Sequence, residues 1–105
     1  MRKKIKSAIY DRIESLAEQY GGLPEKIKLS IYEDDESLRY FRPSEHWAGG
    51  NAEHTELMEW LSAEIERDFM TKVELKLIST SDYWRWLGKT GKKDNADSRA
   101  EFISM

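Results

Sequence analysis

Between Asn51 and Thr80 the hydrophobic period changes once, from four residues to two. Leu57, Leu61, Ile65 and Phe69 recur at every fourth position, which lines them up on one face of a helix. Glu53, Glu56, Glu59, Glu66 and Asp68 fall elsewhere on that cylinder, with Glu64 at the margin. After a turn at Met70-Thr71-Lys72, the residues Val73, Leu75 and Leu77 alternate with Glu74 and Lys76, the period of a half-buried strand. A helix stripe and a strand face this close in sequence bury each other.

The same reading extends along the chain. Ile5, Ala8, Ile9, Ile13, Leu16, Ala17 and Tyr20 repeat at three and four, so the first twenty residues form an amphipathic helix. Gly21-Gly22 ends it and Pro24 prevents its continuation. In Lys26–Tyr32, Ile27, Leu29 and Ile31 alternate with Lys26, Lys28 and Ser30, a strand. The polar run Glu33–Ser37 reads as a turn, and Leu38–Arg42 as a return strand closed by Pro43. Ser44–Gly50 is a loop, and Asn51 caps the central helix. Past Thr80, Ser81 caps a short helix that Gly88 stops, and a polar loop leads into the last residues.

These elements predict an α+β domain of two layers. Its sheet has three mostly antiparallel strands, with two main amphipathic helices and a short C-terminal helix, in the order α-β-β-α-β-α. The uncovered sheet face would carry Lys26, Lys28, Ser30, Tyr32, Glu74 and Lys76. The 105 residues read as one small domain, 1–105, with residues 1–4 and 88–105 as loose ends.

Composition narrows the chemistry. The chain has no cysteine, which removes disulfides, thiolate nucleophiles and cysteine-bound zinc. No apolar run reaches the ~20 residues of a membrane span, and the basic start lacks the apolar centre of a signal peptide. The cytoplasm is the expected compartment. The formal charge of −3 conceals a segregation. Arg2, Lys3, Lys4 and Lys6 open the chain. From Glu33 to Asp68, Glu33, Asp34, Asp35, Glu36, Glu45, Glu53, Glu56, Glu59, Glu64, Glu66 and Asp68 face only Arg39, Arg42 and Arg67.

Candidate chemistry is sparse. Gly88-Lys89-Thr90 resembles the end of a phosphate-binding loop, but Tyr83 stands where that loop needs glycine. His46 and His54, with Arg42 nearby, are the residues a small nuclease would use, yet their spacing matches no helical ligand pair. No catalytic residue, metal site or cofactor is expected.

Two surfaces remain. Glu33, Asp34, Asp35, Glu36, Glu53, Glu56 and Glu59 form an acidic face suited to steering toward a basic partner, and such a face can imitate the phosphates of nucleic acid. Trp47, Trp60, Trp84 and Trp86 are the matching aromatic anchors. The expected function is therefore a non-enzymatic protein-binding module, an adaptor or an inhibitor that blocks a nucleic-acid-handling complex. The alternative is direct nucleic-acid binding through Trp84, Arg85, Trp86, Lys89, Lys92 and Lys93. No membrane partner is expected. A second copy could also pair with an open strand edge.

Overall fold

The computed structural model describes residues 2–105. Its elements run α1 (Arg2–Tyr20), β1 (Lys26–Tyr32), α2 (Asp35–Phe41), α3 (Gly50–Phe69), β2 (Lys72–Ile78), α4 (Thr80–Thr90) and α5 (Ala96–Ser104). The sheet has two strands, β1 and β2, in parallel. The expected three-stranded, mostly antiparallel sheet does not form, and five helices stand where three were expected.

The difference originates in Glu33–Arg42. Asp34 lies in extended backbone and its carboxylate accepts from the Ser37 N–H at 2.7 Å, the geometry of an N-cap. Asp35 and Glu36 then occupy the first turn and Arg39 the last, where the helix dipole favours each sign. Leu38 and Phe41, three apart, present the apolar stripe, and the Arg42 N–H closes on the Leu38 carbonyl at 2.8 Å. The acidic run is thus a helix start rather than a hairpin turn. With no return strand, β1 pairs with β2, and a parallel pair needs the long helical crossover that α2 and α3 supply.

The strand faces also differ from expectation at their C-terminal ends. Tyr32, expected on the open face, is 2% exposed, while Leu77, expected inward, is 58% exposed and Ile78 is fully buried. Lys76 donates to the Phe102 and Ile103 carbonyls at 3.0 and 3.4 Å, so the end of α5 packs against Lys76, whereas Lys26, Lys28 and Glu74 stay exposed as expected.

The chain divides into two compact units. One comprises Met1–Leu29 and Glu56–Leu75. Its core takes Ile13 from α1 and Leu57, Met58, Leu61 and Ile65 from α3; Leu57, Leu61 and Ile65 are stripe residues, and Phe69, the fourth, is half-buried. Tyr10 meets Phe69 edge-on at 4.9 Å between centroids. Lys6 pairs with Glu64 at 3.1 Å, and the Tyr10 hydroxyl donates to Asp68 at 2.6 Å. At Met70 the backbone takes a left-handed turn, φ 53°, and the Thr71 hydroxyl donates to the Pro24 carbonyl at 3.0 Å.

The other unit comprises Ser30–Thr55 and Lys76–Met105. Tyr32, Leu38 and Ile78 form its core cluster, with Phe41, Trp47, Phe102 and Ile103 packed around it. Tyr83 and Leu87 of α4 are buried, as their helical spacing predicts. Helix α4 begins at a Ser79 cap rather than Ser81 and passes through Gly88 to Thr90; Gly91, at φ 72°, ends it. The last residues form α5, capped by Asn95, whose side chain accepts from the Ser98 N–H at 2.8 Å.

Candidate functional site

The acidic residues of the second unit gather where α2 and α3 begin. Asp34 is occupied by its cap, which holds its carboxyl below the usual range, chiefly through the Ser37 backbone N–H. Asp35 accepts from the Asn51 N–H at 2.6 Å, and Glu53 accepts from the Gly49 N–H at 2.6 Å. The glycine pair makes both bonds possible. A Cβ at Gly49 would lie 2.7 Å from a Glu53 carboxylate oxygen. One at Gly50, where φ is +64°, would lie 2.6 Å from Asp35 Oδ1. Glu33 and Glu36 remain exposed, with no side-chain hydrogen bond or ion pair among the described residues. Three carboxylates are thus anchored to backbone amides and two face solvent.

The other predicted acids lie in the first unit. Glu56 is exposed and 3.6 Å from Arg2, and Glu59 is exposed. Further along α3, Arg67 reaches Glu64 at 2.6 Å and Asp68 at 3.0 Å. Trp60 carries two cations over its ring, Arg2 at 5.3 Å and Lys6 at 5.6 Å. The basic start of the chain therefore offsets acids of α3, a pairing between distant residues that sequence spacing does not reveal.

Trp47 is half-buried, donates to Glu45 at 3.1 Å and meets the His54 ring edge-on at 4.9 Å. Trp84 is 51% exposed and lies against Tyr40 and Tyr83. Trp86 turns inward, stacked on Tyr83 at 6.1 Å and tilted on Phe102 at 5.5 Å. Two residues apart on a helix, the two indoles point to different sides and form no continuous stacking platform. Arg85 pairs with Asp82 at 3.3 Å. Lys92 bonds Glu101 at 2.5 Å and sits over the Trp86 ring at 5.7 Å. Lys89 and Lys93 are exposed.

His46 is exposed, whereas His54 is 4% exposed with its Nδ1 unpartnered. Among the described residues no three acidic or histidine side chains converge as a metal site requires.

The residue the sequence did not single out is Asp94. Its carboxylate accepts from Arg99 at 2.9 Å, from the Tyr83 hydroxyl at 2.7 Å and from the Tyr40 hydroxyl. The Arg99 and Tyr40 bonds hold its pKa down to about 2, and burial followed by the Asp94 bond raises Tyr83 to about 12. The one local signal was the Asp94-Asn95 pair, a helix start of the kind that also opens α2.

Comparison with the models of known protein families and with curated proteins returns no match. Among the described residues no helix is long and apolar enough to cross a membrane.

Proposed function

We propose that this chain is a non-enzymatic protein-binding module, an adaptor or inhibitor acting in the cytoplasm, that docks on a basic surface of another protein. The supporting observation is the acidic turn at the start of α2. Asp34, Asp35 and Glu53 are held by backbone N–H groups, so their charges are fixed in place, and Glu33 and Glu36 project beside them into solvent. Fixed charges steer association without losing side-chain entropy on docking. The half-exposed Trp84 supplies an apolar anchor of the type that dominates interface energies, and Trp47, Trp60 and Trp86 are secondary. A rigid set of carboxylates also supports the narrower version, in which the partner is a nucleic-acid-handling complex and the turn stands in for phosphates.

The test is a Glu33→Lys, Glu36→Lys double variant, which leaves the three amide-bound carboxylates untouched. Captured from cell extract with nuclease present, the parent should retain a discrete partner that the variant loses, both having the same circular dichroism. Equal capture by the two proteins would remove the acidic turn from the function. Nucleic acid recovered without nuclease, and lost on Trp84→Ala, would favour the aromatic and basic segment of α4 instead.

A further inference from the structure

His54 lies in the first half of α3, 4% exposed, under the segment that joins α2 to α3. A closed circuit of contacts surrounds it. Arg42 Nε donates to the Tyr32 hydroxyl at 3.2 Å, and Arg42 Nη1 lies 3.6 Å from Glu45. The other Glu45 oxygen accepts from the Trp47 indole N–H at 3.1 Å. The Trp47 ring stands edge-on to His54 at 4.9 Å, and the Tyr32 ring tilts against its other side at 5.2 Å. The Gly50 N–H donates to the Trp47 carbonyl at 2.9 Å, which fastens the segment to the start of the helix. Within this enclosure His54 Nδ1 has no hydrogen-bond partner.

We infer that residues 42–49 are a pH-sensitive strap, closed over neutral His54 and released when that imidazole takes a proton. An imidazolium needs both ring N–H groups satisfied. Here Nδ1 is buried with no partner in a ring-lined enclosure, and a cation buried without a partner is strongly disfavoured. The charged groups facing it pull in opposite directions. The Glu45 carboxylate favours the proton, and the Arg42 guanidinium opposes it. Burial is the larger effect and sets His54 below its ordinary value of 6.5. The helix N-terminus, with its partial positive charge, acts in the same direction. The Tyr32 phenol is occupied as the acceptor of Arg42.

The sign follows from linkage. The open form titrates near 6.5 and the closed form lower, so the strap is most stable above that value and weakens as the solution is acidified. With one proton taken up, the ratio of open to closed rises by at most about tenfold per pH unit. Opening exposes the Trp47 indole and frees Glu45. If the docking role proposed above holds, acidification then changes which anchors the partner meets. The strap itself requires no partner.

The isolated full chain tests it, by nuclear magnetic resonance between about pH 8 and about pH 5. The Trp47 indole signal, identified by its loss in Trp47→Phe, should move toward its free-indole position as pH falls. Its midpoint should lie below 6.5 and coincide with titration of the His54 ring. The Trp60, Trp84 and Trp86 signals should hold still, and His46→Ala should leave the transition in place. In His54→Phe the Trp47 signal should become independent of pH. A Trp47 signal that stays put while His54 titrates in the parent protein overturns the strap, whether or not the phenylalanine variant folds. So does an unchanged transition in a folded His54→Phe protein.

Discussion

Asp94 shows how much a single exposed-loop residue can organise once the chain is folded. It gathers the Tyr40 and Tyr83 hydroxyls and the Arg99 guanidinium, which also covers the Tyr40 ring at 4.8 Å. Asp94→Asn keeps the shape and removes the charge that these donors share. Because the site is partly open to water, the expected loss is only about 1 kcal/mol, read from urea unfolding. The pH dependence has a defined sign. The folded pKa, about 2, lies below the ordinary 3.8, so the contribution is present above 3.8 and lost as pH falls through about 2. In the Asn variant the acid side of the stability curve should be flatter across that window.

At the scale of elements, α4 involves two glycines: Gly88, where the sequence is expected to stop the helix, and Gly91, where the helix ends. Gly88 is helical, exposed and has nothing within 4 Å of a Cβ, so it interrupts nothing. Gly91 also has space, but its φ of 72° is the left-handed conformation that ends the helix. Gly88→Ala should therefore stabilise the protein by about 0.5–1 kcal/mol, and Gly91→Ala should destabilise it by about 1 kcal/mol. Thermal unfolding of the two variants distinguishes a stop at Gly88 from a stop at Gly91 by the sign of the shift. Helix α2 teaches the same point. The five residues Leu38–Arg42, of which the first four lie in α2 and Arg42 is its C-cap, are too short a run to separate period two from period three or four, and the deciding contact is the Asp34 cap.

At the scale of the molecule, long periodic segments were legible in the sequence and contacts between remote residues were not. Of the Leu57, Leu61, Ile65 and Phe69 stripe the first three are buried, at 3%, 0% and 0% exposure, and Phe69 is half-buried. Leu61→Ala should accordingly cost about 2–5 kcal/mol in chemical denaturation, a large part of the stability of a domain this size. The sequence by itself determined α1, β1, α3 and β2, because burial imposes a period on any element long enough to repeat it. It also placed the acidic residues and the four tryptophans, since type and position need no folding to be read. Tertiary structure alone decided that β1 and β2 pair in parallel, that Trp86 turns inward while Trp84 stays half-exposed, and that His54 is enclosed by Tyr32 and Trp47. It also decided which carboxylates are spent on backbone amides. Apart from the Asp34–Ser37 and Glu53–Gly49 bonds, which join residues three and four apart, each of these depends on groups distant in the chain meeting at hydrogen-bonding or packing distance. That proximity is a property of the folded backbone, and no local pattern encodes it.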